Sequence, residues 1–246
     1  MPNVRLILEY NGKGFHGWQT QPGLRTIETE LLRALRIVLR EDIGPLDVSG
    51  RTDSGVHARG QVVNFFVAQN PDLLRLMRSV SSLLRGELAV RSAEIVPEDF
   101  HARKSALSKQ YSYTLYHAAN PPVLERGQAW YVGAKLDILK MQSLALECVG
   151  THDFTSFRGH GCMAKSAVRT IFESEISWEE PYLRYRVVGQ GFLKQMVRNI
   201  VGTLVELGRE RLALPSISEV LAAKDRRAAG PTAPAHGLCL DWVRYA

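Results

Sequence analysis

The order of short periodic segments leaves this chain few folds to adopt. Val4 to Tyr10 alternates as a half-buried strand does, and Asn11-Gly12 closes it as a turn. Thr26 stands where a helix N-cap would, ahead of Ile27, Leu31, Leu35, Val38 and Leu39 on one helical face. Leu46 to Val48 is a short apolar run, and Val62 to Val67 is a β-branched and aromatic one, so both read as strands. Asn70 as cap and Pro71 in the first turn open a second helix, whose buried face is Leu74, Met77, Val80, Leu83 and Leu84. Glu87 to Val96 is a further strand. The order β-α-β-β-α-β is the split pattern of a ferredoxin-like unit.

The second half repeats that order without visible sequence repetition. Tyr111 to Tyr116 reads as a strand, Leu136 to Val149 as a helix, and Val168 to Trp178 and Leu183 to Val188 as two strands. Phe192 to Leu207 is a strongly apolar helix, Ile217 to Ala222 a short one, and Leu238 to Tyr245 a last strand. The expected architecture is therefore α/β of the α+β type: two halves, residues 1–105 and 106–246, with mixed, mostly antiparallel sheets. A cleft between the two sheets is the natural ligand site. Phe100 to Lys109, with His101, Arg103, Lys104 and Lys109, reads as a basic crossing segment. Gly150 to Ser166 and Lys224 to His236 are long enough to be functional loops or structural excursions.

Composition narrows the class. The 246 residues are 45% hydrophobic and 23% charged, which is ordinary globular material. No apolar run approaches membrane-spanning length, and Met1 to Arg5 runs into the first strand, leaving no room for a signal peptide. A net charge of +6 suits a polyanionic partner. Arg33, Arg36 and Arg40 repeat on one face of the first helix, where a solvated surface is the plainer explanation. Cys148, Cys162 and Cys239 form no CxxC pair, so reduced thiols in a cytoplasmic protein are expected and a cysteine zinc site is not.

Chemistry concentrates at Gly50-Arg51-Thr52-Asp53-Ser54-Gly55-Val56-His57-Ala58. The two glycines imply a sharply turned loop between strands, and strands are firm supports for a catalytic carboxylate. An Asx turn, with Asp53 capping its own backbone, is the structural alternative. His57, His101, His152, Asp153 and His160 raise the idea of a metal-dependent RNA phosphodiesterase, but no pair has a recognised ligand spacing such as HExxH. A noncatalytic RNA-binding module is a third reading, although no aromatic RNP motif is present.

The Gly50–Ala58 loop, followed by Gly60-Gln61-Val62-Val63, resembles the catalytic loop of the bacterial tRNA pseudouridine synthase A (TruA-type) family. Similarity continues at Asp99-Phe100-His101-Ala102-Arg103, Tyr111-Ser112-Tyr113 and His152-Asp153-Phe154-Thr155-Ser156-Phe157. It extends through Met196-Val197-Arg198-Asn199-Ile200-Val201-Gly202, Ala222-Ala223-Lys224-Asp225-Arg226 and Gly237-Leu238, all in family order. Departures are Arg59-Gly60 after the loop and the stretch Gly159 to Ala164.

The resemblance implies two ferredoxin-like halves whose sheets join side by side around a central RNA-binding cleft. It also implies isomerisation of uridine to pseudouridine in the tRNA anticodon stem-loop, at positions 38, 39 and 40. Asp53 would be the essential carboxylate, either as nucleophile or in assisting elimination through a glycal. Tyr111 would lie against the target base, Arg198 would pair with Asp53, and Arg51 would help evert the nucleotide. The family acts as a homodimer with one tRNA contacting both subunits. The reaction involves no net redox change or hydrolysis, so no cofactor or metal is expected, and neither DNA nor a membrane is an expected partner.

Overall fold

The computed structural model describes residues 1–213 and 215–246. Two compact units form, one from Met1–Leu107 with Cys239–Ala246 and the other from Ser108–Leu238. The fold is α+β with mainly antiparallel strand pairing, as the segment order predicts.

In the first unit the elements are β1 (Asn3–Tyr10), α1 (Ile27–Leu39), β2 (Asp47–Val48), β3 (His57–Phe66), α2 (Leu73–Leu83) and β4 (Leu88–Val96). β1 lies between β4 and β3, antiparallel to both, and β2 pairs antiparallel with β3. This is the ferredoxin-like order. The outer edge of β3 is shared: β2 takes its far end at Asn64 and Val63, and β10 (Leu238–Arg244) runs parallel to its start at His57 and Ala58.

Alternation along β1 sends Val4, Leu6, Leu8 and Tyr10 into the core with Ile27, Leu31 and Leu35 of α1 and Leu76 and Val80 of α2, all buried. Burying each such leucine stabilises the unit by about 1.5–3 kcal/mol. α1 begins where expected, since Thr26 accepts a hydrogen bond from the Thr29 N–H. α2 does not. Its cap is Asp72, which accepts from the Arg75 N–H at 3.0 Å, so Asn70 and Pro71 lie outside the helix. β3 starts at His57 rather than Val62 because its pairing with β1 extends back to Tyr10–Ala58.

The second unit contains β5 (Ser108–Tyr116), β6 (Trp130–Tyr131), α3 (Ile138–Leu146), β7 (Gly150–Asp153), β8 (Val168–Glu179), β9 (Tyr182–Gly189), α4 (Met196–Gly208) and α5 (Ile217–Ala223). The strand order is β5-β9-β8-β7, with β6 parallel to β5. β6 and β7 are additions to the predicted pattern, being too short to show a period. α4 begins at Met196, four residues later than predicted, because Gln195 takes φ 60° and the turn before it is not helical. Lys109 corrects the reading of a basic crossing segment: it belongs to β5 and is only 9% exposed, whereas Lys104 is exposed.

Candidate active site

The loop carrying Asp53 is held from beneath by one buried polar cluster. Gln61, fully buried in β3, donates its amide N–H to the Gly50 carbonyl at 2.8 Å and to the Tyr10 phenol oxygen at 3.3 Å. Its own carbonyl oxygen accepts from the Ser49 hydroxyl at 2.7 Å. The phenol oxygen also shares a hydrogen bond with the Thr52 hydroxyl, 2.8 Å away. Burial pushes the Tyr10 phenol far above its ordinary pKa, against the opposing bonds to Thr52 and Gln61, so it stays a proton donor.

The loop backbone is clamped as well. The Trp18 N–H donates to the Thr52 carbonyl at 3.0 Å, and the Val56 N–H closes the turn onto the Asp53 carbonyl at 3.1 Å. Gly17 must be glycine: it has φ +84°, and a Cβ there would lie 2.9 Å from the Thr52 carbonyl oxygen. Ser54 donates to the Phe15 carbonyl, and His57 Nδ1 accepts from the Gly12 N–H. Thr52 is buried, Asp53 half-buried and Arg51 exposed. Arg59, the departure noted in the sequence, forms an ion pair with Asp241 of β10 at 3.1 Å.

Tyr111 and Arg198 belong to the second unit. Tyr111 is on β5, 8% exposed, opposite Val187 of β9 and edge-on to Phe192 with ring centroids 5.1 Å apart. Arg198 is on α4, and its Nε–H donates to the Ala233 carbonyl at 2.8 Å. The Ala233 N–H returns a bond to the Arg198 carbonyl at 3.1 Å. Next to this link, the Tyr113 hydroxyl donates to the Pro234 carbonyl at 2.7 Å. Burial raises the Tyr113 phenol well above its ordinary pKa, with the positive charge of Arg198 opposing.

A family model described as tRNA pseudouridine synthase matches residues 144–246. The tRNA pseudouridine synthase A of Clostridium kluyveri is 40% identical over 100% of both chains. That of Bacillus subtilis is 41% identical over 98% of each, and that of Geobacter sp. strain M21 42% identical over 100% of this chain and 99% of its own. The chain belongs to the tRNA pseudouridine synthase A family. Enzymes of this family are isomerases acting on tRNA.

Of the site residues that resemblance to tRNA pseudouridine synthase A selects, Arg51 and Asp53 share one loop of the first unit, while Tyr111 and Arg198 share the second. Sequence reasoning missed the network that orders the 224–236 loop in this family member. Asn199 Oδ1 accepts from Arg226 at 3.1 Å and from the Thr232 hydroxyl at 2.7 Å, and Thr203 accepts from the Gly230 N–H at 2.9 Å. Gly202 permits that approach, since a Cβ there would meet the Pro231 carbonyl oxygen at 1.7 Å. The only signal in the sequence was Asn199, Gly202 and Thr203 standing within an apolar helix.

The 150–166 loop is tied to the same region. Asp153 accepts from the Thr155 hydroxyl at 2.6 Å and pairs with Lys224 at 3.4 Å, while Ser156 donates to the Val220 carbonyl and accepts from the Asp225 N–H. Of the histidines considered as metal ligands, His101 faces Asp47 at 3.7 Å, and His152 Nε2 bonds the Val149 carbonyl at 2.8 Å. Among the described residues no group of three or more His, Cys, Asp or Glu is placed to hold a metal ion. No helix among them is long and apolar enough to cross a membrane.

Proposed function

We propose that Asp53 is the carboxylate with which this tRNA pseudouridine synthase family member isomerises uridine, at positions 38, 39 and 40 of the anticodon stem-loop. In that reaction the N1–C1′ bond breaks, the uracil turns, and C5 bonds to C1′ with transfer of the C5 proton to solvent and uptake of one at N1. A carboxylate serves either as nucleophile at C1′ or in assisting loss of the base, and both routes require its negative charge. The observation that carries this reading is the hydrogen bonding that anchors the loop. Thr52, the residue before Asp53, is bonded through both its hydroxyl and its carbonyl, which suits a group that must meet one carbon atom.

Tyr111 stacks under the everted base in this reading, Arg198 holds the Asp53 carboxylate, and Arg51 fills the space the nucleotide leaves. The protein acts in the cytoplasm as a homodimer. Support for these assignments is the position of each residue in the family motifs. The test is Asp53→Asn, scored for pseudouridine in single turnover and for tRNA binding. Turnover is expected to vanish with affinity retained, because phosphate contacts elsewhere supply most of the binding. Substantial turnover by the variant would remove Asp53 from this role.

A further inference from the structure

The two helices of the first unit carry arginine and no lysine on their outward faces. In α1, Ile27, Leu31, Ala34 and Leu35 are buried, which turns Arg33, Arg36 and Ile37 outward, with Arg40 at the C-cap. In α2, Leu76 and Val80 are buried, which turns Leu74, Arg75 and Arg78 outward, with Arg85 just past the end. Each helix runs antiparallel to the strand before it, and β1 is antiparallel to β3, so the helices run in opposite directions. Arg25, Arg33 and Arg85 accordingly line one cleft of about 370 Å³ with Glu30 and Glu87, where the start of α1 meets the end of α2.

Acidic side chains offset part of the charge on this layer. Glu30 pairs with Arg33 at 3.0 Å, Asp42 with Arg36 at 2.9 Å and Glu87 with Arg25 at 2.5 Å. Among the described residues the guanidinium groups of Arg40, Arg75, Arg78 and Arg85 have no hydrogen-bond or ion-pair partner. The layer is also joined to the catalytic loop. The Ile27 N–H donates to the Gly17 carbonyl at 3.1 Å, and Gly17 packs directly on Thr52 and Ser54. From that junction α1 extends for about 20 Å at 1.5 Å per residue.

We propose that the outward face of α1 and α2 is a second RNA-binding surface, which takes backbone phosphates of the tRNA body while the target loop is at Asp53. This rests on the reading of the protein as a tRNA-modifying enzyme. Guanidinium forks match phosphate oxygens in a way that lysines do not, and an all-arginine strip suits a polyphosphate backbone better than it suits mere solubility. A strip that starts beside the loop and runs away from it meets RNA outside the modified loop.

The test compares wild type with Arg40→Gln/Arg75→Gln/Arg78→Gln/Arg85→Gln and with the corresponding four Arg→Lys changes. Each binds a full-length tRNA transcript and an isolated anticodon stem-loop across a salt series. The Gln variant is expected to bind full-length tRNA about tenfold or more weakly, its slope of log affinity against log salt shallower by roughly 0.7–0.9 for each phosphate that is no longer neutralised. Stem-loop binding is expected to stay near wild type, and the Lys variant to keep most of the slope. Unchanged full-length binding overturns the proposal, as does an equal weakening on both RNAs. Loss of binding to phosphatidylglycerol vesicles with tRNA binding intact would also overturn it, in favour of a lipid surface. Pseudouridine formation by wild type is scored on the same transcript. Its absence beside strip-dependent binding rejects the Asp53 chemistry and supports the surface, whereas normal turnover with strip-independent binding rejects the surface alone.

Discussion

The phenol of Tyr10 and the hydroxyl of Thr52 meet at 2.8 Å in a buried position, one residue before Asp53. The bond ties the Asp53 loop to the end of β1, a central strand of the first unit. Tyr10→Phe removes the phenol oxygen and leaves both the Thr52 hydroxyl and one Gln61 N–H without this partner. A stability loss of about 1–3 kcal/mol is expected for such unsatisfied buried groups. Single-turnover rate should fall more than tRNA affinity, since positioning rather than binding is disturbed. Urea unfolding and single-turnover assays check both effects, and wild-type values in each would show that the loop does not depend on Tyr10.

Gly202→Ala tests the docking of the 224–236 loop on α4. The new Cβ would lie 1.7 Å from the Pro231 carbonyl oxygen, and neither side of that approach is a flexible side chain. The loop must then shift, at a cost of about 1–3 kcal/mol or more. Gly44→Ala is the control, because a Cβ there meets nothing within 4 Å. A thermal midpoint for Gly202→Ala equal to that of the control would contradict the tight packing.

Asp153 makes acid stability depend on one turn. Its carboxyl is held below the ordinary range by the Thr155 hydroxyl first, with the Thr155 N–H and Lys224 adding to the effect and burial opposing it. A carboxylate depressed in the folded state stabilises the fold above its unfolded pKa, about 3.9, and loses that contribution as pH falls through the folded value. Asp153→Ala should therefore be less stable than wild type near neutrality, and the pH-dependent part of the difference should shrink below about pH 4. Denaturation midpoints from pH 7 to pH 3 measure this. A gap that widens on acidification would give the sign opposite to the one expected.

The three cysteines should alkylate in a fixed order. Burial pushes the Cys148 thiol up to about 12, and burial followed by the nearby Asp241 charge pushes Cys239 up to about 12. Burial also opposes ionisation of Cys162, but the backbone N–H groups of Ala164 and Lys194, together with Arg158, outweigh it and bring that thiol below its ordinary value. Thiolate is the reactive form, so iodoacetamide at neutral pH should label Cys162 first in native protein. Mass spectrometry showing Cys148 labelled as fast as Cys162 before unfolding would refute the burial argument.

The sequence by itself determined what depends on near neighbours. Thr26 and the apolar period after it set α1 from Ile27 to Leu39, because a cap and a helical face are read within a few residues. Alternation located β1, β8 and β9 in the same way. The segment order carried the ferredoxin-like arrangement of the first unit, and the motifs carried the family. Where two local signals competed the sequence could not choose: Asn70 and Asp72 are both able caps, and the side-chain bond to Arg75 decided for Asp72.

Only the tertiary structure decided what depends on the chain returning to itself. The two-residue strand β6 exists because β5 offers it an edge, not because it has a pattern of its own. Lys109 is basic in sequence, yet β5 buries it. Tyr10 and Thr52 are 42 residues apart, and Arg226 and Asn199 are 27 apart. A periodic signal decays within a turn or two of chain, whereas these bonds exist only after sheet and helix packing have brought the partners together, so the supports of the Asp53 loop and of the 224–236 loop could be found only in the folded molecule.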